Sequence, residues 1–494
     1  MNATTYGRIV PASWLIWPAT AAALGLVMLG AGLVALVPLI AIAAVAALLA
    51  ARMQVSALLL LGVALLVDNP GERPYAGLWQ SPLSALGSLL YENLHRHTGI
   101  DALRVSALEL LTGGLLLLLV VRKLLGDRLD DPTNLGAVPN PMKVAFAVYF
   151  AAMVWLEVYG LARGGDFRNS LWQIRQLFWL PLLGVLFGHA LKTTGARVAL
   201  LRIVMVVAWV RCLLGIYFVN VIAKPRGLEI EYAMTHSDAI LSVVAMLIGL
   251  AALVERLSIG HVVMNVLLQP VLVWGLLVND RRLALVALAG GGLTLVLLGP
   301  PMLRRRLKRS LLVMVPVGIL YVAIGWHSSA AIFGPVATLR GMSSSEDVSS
   351  QTRDIENYNL IQTLKAHPIL GSGFGHEYNE VVQAYRIDSV FAQYRFIAHN
   401  SVLWLLSIAG WLGFAAVWAV FPVGVLVAIA VHRASTTPVD RIVAFATVAA
   451  ILSLMVQAWG DMGLQSWMGI LVVTSLMGAT GAMYTAQQRT GELA

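Results

Sequence analysis

The sequence has little charge and almost no cysteine: only 12% of its 494 residues are Asp, Glu, Lys or Arg, and Cys212 is its single cysteine. Soluble domains carry about a quarter charged residues, so an ordinary soluble fold is excluded. One cysteine excludes any disulfide within the chain, and with it a disulfide scaffold. Disorder, collagen and coiled coil are excluded on the same composition. What the chain has instead is apolar material, with 59% hydrophobic residues and a mean hydropathy of +0.80. At about 20 apolar residues per span, that composition describes a polytopic membrane protein.

Apolar stretches closed by charge clusters, Pro or Gly predict spans at 12–31, 33–50, 54–67, 102–121, 143–162, 174–190, 198–220, 235–254, 261–278, 282–299, 311–325, 400–430, 441–458 and 462–484. The expected fold class is therefore all-α, with about 12–14 transmembrane helices in a single integral domain over 1–494. The stretch 400–430 contains Pro422, a point of expected tilt or kink. No cleavable signal is apparent before the first span, which is expected to stay as an anchor.

The cluster Arg304, Arg305, Arg306, Lys308 and Arg309 is the strongest positive-inside signal and fixes that loop as cytoplasmic. Counting outward from it puts both termini inside and gathers the surplus positive charge on the same side. The net charge of +9 is then explained by topology and attraction to membrane lipids, and no nucleic acid is implied. Two outer loops are long. In 68–101, Leu83, Leu86, Leu90 and Leu94 fall at helical spacing and predict an interfacial helix. The loop 326–398 is the only outer segment large enough for a lid or small subdomain.

Several chemistries lack their residues. The run HEYNE at 376–380 has no second His at the spacing a zinc protease helix needs, and there is no Walker A loop or G-x-S-x-G elbow. Asp127, Asp130 and Asp131 precede Pro132 in a short basic loop and fit a solvated turn. The informative region is the end of the large outer loop, TRDIENYNLIQTLKAHPILGSGFGHEY, followed by AHNSVLWLLSIAGWLGF. Gly371, Gly373 and Gly375 permit tight turning or close approach after Pro368, and His399 with Asn400 stands at the mouth of a long span.

The arrangement HPxxGxGxG followed by HNxxLxxLxxxGxxG over 353–413 resembles the O-antigen ligase and polymerase superfamily. These are polytopic enzymes, GT-C-like in architecture, that transfer or polymerise glycans linked to undecaprenyl diphosphate at the periplasmic face of the bacterial inner membrane. In that family an arginine precedes the Pro-Gly motif by about 15 residues, which matches Arg353 here. Asn357 and Tyr358 stand where the family often has tryptophan. The family's arginine before a late span matches Arg281 or Arg282, and its late acidic residue matches Asp461.

The resemblance implies inversion at the anomeric carbon without metal or other cofactor. It implies a lipid-linked glycan donor, a glycan or lipid A-core acceptor, and a chain-length regulator and flippase as partners. It does not choose between ligase and polymerase.

The topology itself puts Arg281, Arg282, Arg353, His399 and Asp461 on one membrane face. Arginine offers an always-charged fork for diphosphate oxygens, and histidine has the pKa range to take a proton from an acceptor hydroxyl. Plainer readings stand beside these. His399 could cap the helix at Asn400, Arg281 and Arg282 could snorkel, and Asp461 could simply pair with an arginine. Arg175 and Arg211 read either as donor contacts or as buried pairs with acids such as Glu157. His367 and His376 read as loop histidines, and Trp155, Trp172 and Trp326 as interface belt. Two other function classes remain open: a transporter or flippase of lipid-linked saccharides, and a non-catalytic envelope scaffold.

Overall fold

The computed structural model describes residues 53–99, 104–124, 138–230, 232–255, 259–300, 312, 315–328, 333, 336, 348–383 and 393–491. Its contacts divide the chain into two compact units, Met1–Leu59 and Leu60–Ala494. The first is described only at 53–59, within helix α1 (Met53–Leu66). The expected spans 12–31 and 33–50, the acidic turn at 127–131 and the arginine cluster at 304–309 lie outside the described residues.

The second unit continues through α2 (Ser84–Tyr91), α3 (Ala107–Leu124), α4 (Asn140–Ala162), α5 (Phe167–Ala190), α6 (Thr194–Tyr217) and α7 (His236–Val254). It ends with α8 (Ile259–Asn279), α9 (Arg282–Leu298), α10 (Val348–Ala366), α11 (Ser401–Trp418), α12 (Val420–Ala434), α13 (Pro438–Gly460) and α14 (Trp467–Thr490). No strand occurs among the described residues, so the fold is all-α. Seven helices there are long and apolar enough to cross a membrane, while Val263–Asn279, Arg282–Leu298 and Val315–Gly325 are apolar but shorter. The charged α3 and α5 are helical where spans were expected, yet are not among the seven.

Helix starts follow local rules. Asp166, Thr193, Thr437 and Ser466 each accept a backbone N–H of the first turn with their side chains, and Pro438 opens α13 where a missing N–H does no harm. Thr235 and Asp238 form a reciprocal capping box on α7. Inside the bundle, α7, α13 and α14 are buried almost all round, as small residues allow helices to approach closely. A Cβ on Gly478 of α14 would stand 2.6 Å from the Gly188 nitrogen of α5. Thr447 and Thr480 join α13 to α14 by a 2.7 Å hydroxyl contact.

Two expectations are refined. The 400–430 span divides at Ala419, between α11 and α12 and within one turn of Pro422, and it has a second interruption at Gly410, whose φ of 62° and ψ of −178° are not helical. The amphipathic stripe of the first outer loop is also shifted. In α2 the buried face is Gly87, Leu90 and Tyr91, while Leu86 is exposed and Leu94 lies beyond the helix. Gly87 belongs to that face because a side chain there would run into the Asp68 carbonyl.

Candidate functional site

A cavity of about 600 Å³ opens where α7, α9, α11 and α14 begin and α13 ends. Such a volume suits a small-molecule or headgroup-sized ligand. Each helix start brings the positive end of its dipole to this place, which favours an anion, while Thr235, Asn400 and Ser466 take first-turn N–H groups of α7, α11 and α14. The wall includes Arg175, Arg281, Arg353, His399 and Asp461 together. Arg282, Asn400, Arg211 and the three glycines of the motif are not in it.

His399 precedes α11 by two residues and is held from α10. Its Nδ1 lies 3.1 Å from one Glu356 oxygen and 3.3 Å from the other, and its backbone N–H donates to the same carboxylate at 3.2 Å. Glu356 is buried and acceptor-only when ionised, so the imidazole proton belongs on Nδ1 and Nε2 is left as the basic nitrogen. Burial disfavours the imidazolium, but the Glu356 hydrogen bond and charge, with Asp461 behind them, outweigh it. His399 therefore titrates above the usual imidazole value. Glu356 escaped the sequence reading, although it lies one helical turn from Arg353, where both residues share a face of α10.

The cap reading for His399 does not describe the geometry, because Asn400 is the cap of α11 and accepts from Leu403 N at 3.1 Å. Asn400 also donates to Asn357 Oδ1 at 3.1 Å, so the departure from a family tryptophan at 357 supplies a tie between α10 and α11. Ser401 Oγ donates to the Asp461 carbonyl at 3.1 Å and to Gln465 Oε1 at 3.0 Å. The His399 and Asp461 segments are thereby fixed to each other.

The arginines differ in what holds them. Arg175 is clamped by Glu109, with its Nε donating to Oε1 at 2.6 Å, and by Asn93 at 2.8 Å. Arg211 is buried between Asp238 and Asp68 and donates to the Leu66 and Val67 carbonyls. Neither pairs with Glu157, which accepts from Ser170 instead at 2.7 Å. Arg353 is half-buried in the cavity wall and enters no salt bridge among the described residues. Arg281 caps α9 and points into the cavity, whereas its neighbour Arg282 starts the helix on the exposed side. Asp461 meets His236 rather than an arginine, at 3.9 Å from Nε2.

Gly371, Gly373 and Gly375 serve the backbone. All three have positive φ, and their loop is spliced into the gap that Gly410 opens in α11. Gly373 N donates to the Ile408 carbonyl at 2.9 Å, while Trp411 N and Leu412 N reach Pro368 and Ile369 carbonyls at 2.8 and 3.1 Å. A Cβ on Gly371 would meet the Ile408 oxygen at 1.9 Å, so only glycine fits there. The other side of the loop rests on α4, where Phe374 N donates to the Leu156 carbonyl at 3.1 Å and His376 to the Gly160 carbonyl at 3.0 Å. Of the aromatic residues expected in a belt, Trp172 lies in the cavity wall.

Sequence reading also missed His236 and Tyr232, which line the cavity beside Arg281. The Thr-x-x-Asp pattern at 235–238 was the available signal, since it fixes a helix start at this level. Residues 270–418 match a family model described as O-antigen ligase. No curated protein matches the chain.

Proposed function

We propose, from the premise that residues 270–418 belong to the O-antigen ligase/polymerase superfamily, that the protein is a membrane glycosyltransferase acting on lipid-diphosphate-linked glycan at the periplasmic face. The observation that carries this reading is the cavity that combines Arg281 and Arg353 with a histidine whose Nδ1 is tied to Glu356. The donor is an undecaprenyl-diphosphate glycan that reaches the cavity from the bilayer. Arg353 and Arg281 hold the diphosphate oxygens. The acceptor hydroxyl loses its proton to His399 Nε2 as its oxygen bonds to the anomeric carbon. The bond from that carbon to the phosphate oxygen breaks on the opposite face, inverting the configuration and releasing undecaprenyl diphosphate.

Glu356 keeps the base in the correct tautomer and stabilises the imidazolium that forms, as orienting carboxylates do in other histidine-dependent transferases and hydrolases. Two guanidinium groups and the surrounding helix starts supply the positive field for the departing diphosphate. We therefore assign no role to a metal. The bacterial inner membrane, cytoplasmic termini, a lipid A-core or glycan acceptor, a flippase and a chain-length regulator complete the proposal.

The test is glycan profiling of envelope extracts from cells lacking the gene, complemented with wild type, His399→Ala or Arg353→Ala at equal membrane abundance. Loss of high-molecular-weight glycan in both variants is the expected result. Single lipid-linked repeats left behind identify a polymerase, and long unattached polymer a ligase. Full activity of both variants overturns this site and favours the transporter and scaffold readings.

A further inference from the structure

Three glutamines lie in the wall of the cavity, Gln176, Gln457 and Gln465, and each has one end of its amide without a hydrogen bond among the described residues. Two of them are tied to the segments that carry Asp461 and His399. Gln457 is 1% exposed and stands one turn before Asp461 on α13, whose backbone N–H its carbonyl accepts at 2.7 Å. Its Nε2 donates to Ser237 Oγ at 3.3 Å, and Oε1 is the end left over. Gln465 closes the short turn Gly463–Gln465 between α13 and α14. Its Oε1 accepts from Ser401 Oγ at 3.0 Å, and Nε2 is the end left over.

Each amide is therefore fixed at one end and open at the other. Ser237 Oγ, the anchor of Gln457, lies 2.7 Å from Ser466 Oγ and so joins the starts of α7 and α14. Ser401, the anchor of Gln465, follows His399 by two residues at the start of α11. A buried amide end without a partner is costly in the free protein, because water has been removed from it and nothing replaces it. A ligand that supplies the missing bonds removes that penalty, and one that lacks them leaves it in place.

The two open ends amount to one acceptor and one donor, with no charge. Phosphate oxygens only accept, so a diphosphate cannot match both. A hydroxyl or an acetamido group donates and accepts, and matches the pair. The same cavity of about 600 Å³ contains Arg353, so a sugar attached to a diphosphate held there lies within the space that Gln457 and Gln465 border.

We propose that Gln457 and Gln465 are specificity residues for the sugar carried on the donor diphosphate, and that they recognise an uncharged hydroxyl or acetamido group of it. This deepens the transferase reading above and rests on it.

The test measures binding of three lipids to the full-length protein in detergent: undecaprenyl diphosphate, undecaprenyl diphosphate carrying N-acetylglucosamine, and undecaprenyl diphosphate carrying galactose. Wild type is expected to bind at least one sugar-bearing lipid about tenfold more tightly than the bare diphosphate. A larger gain from N-acetylglucosamine assigns acetamido recognition, and a larger or equal gain from galactose assigns hydroxyl recognition. Gln457→Met and Gln465→Met keep the side-chain length without the amide. Each is expected to weaken binding of the preferred sugar-bearing lipid about fivefold, as loss of one neutral hydrogen bond does, and to leave the bare diphosphate within about twofold of wild type. The unchanged bare diphosphate also shows that the variant is folded. Wild type that binds all three lipids alike overturns the proposal, as do methionine variants that keep the wild-type preference. Equal losses of bare and sugar-bearing lipid overturn it too, because they report a structural role. Wild-type protein that shows the preference but transfers nothing overturns the transferase reading and leaves this inference standing.

Discussion

Glu356 Oε2 lies 3.1 Å from His399 Nδ1 and 3.2 Å from the His399 backbone nitrogen, so one buried carboxylate from α10 fixes both the ring and the backbone of a residue just before α11. The pair assigns separate tasks to the two imidazole nitrogens. Nδ1 is held by Glu356, and in the proposed reaction Nε2 takes the proton.

Glu356→Gln should therefore lower transfer without removing the cavity. An orienting carboxylate replaced by its amide leaves the wrong tautomer, and losses on the order of 10² or more are expected. His399→Ala should lose about 10² to 10⁴ of rate. Turnover numbers at saturating donor, with donor binding unchanged, check both.

The pH profile carries a sign. In the proposed reaction the base form of His399 is the active one, and its pKa is raised above the ordinary 6.5, so activity should fall as pH drops through a value above 6.5. In Glu356→Gln the nearest charge favouring the imidazolium is gone while burial and Asp461 remain. The acid limb of the residual activity should then move to lower pH than in wild type. Rates of wild type and variant between pH 5 and 8 test this, and a limb that does not move argues against the pair.

Arg281 and Arg282 are adjacent in sequence but not equivalent in space. Arg281→Ala should weaken donor use by about 10- to 100-fold, the range for losing hydrogen bonds to a charged group, whereas Arg282→Ala should stay close to wild type. Arg353→Lys keeps the charge but not the fork, and should recover only part of the loss seen in Arg353→Ala. Donor KM for the four variants distinguishes these outcomes.

Gly410→Ala should impair folding rather than chemistry. A Cβ there would stand 2.4 Å from the Ile369 carbonyl, at a φ of 62°, and the strain is worth more than about 2 kcal/mol. Arg211→Ala should likewise destabilise, by about 3–5 kcal/mol, because it strips Asp68 and Asp238 of their buried partner. Yield of monodisperse protein and thermal unfolding in detergent measure both.

The all-α membrane class was readable because it depends on summed hydropathy and on local helix rules, which neighbours do not override. The sequence also put Arg281, Arg353, His399 and Asp461 on one expected membrane face, since Arg281, His399 and Asp461 flank apolar runs and Arg353 lies in the outer loop between two of them. It could not separate Arg281 from Arg282, because one residue of rotation at a helix start decides which of them enters the cavity. Nor could it pair Arg175 with Glu109, Arg211 with Asp68 and Asp238, or His399 with Glu356. Asp238, Glu356 and Glu109 are 27, 43 and 66 positions from their partners and Asp68 is further still, and no local periodicity encodes which helices pack together. The break at Gly410 is of the same kind. The glycines were visible as letters, but only the packed structure supplies the loop at 368–373 that satisfies the backbone groups the break sets free. Hydrophobic pattern determined which segments enter the membrane; tertiary packing decided which charges cancel one another and which line the cavity.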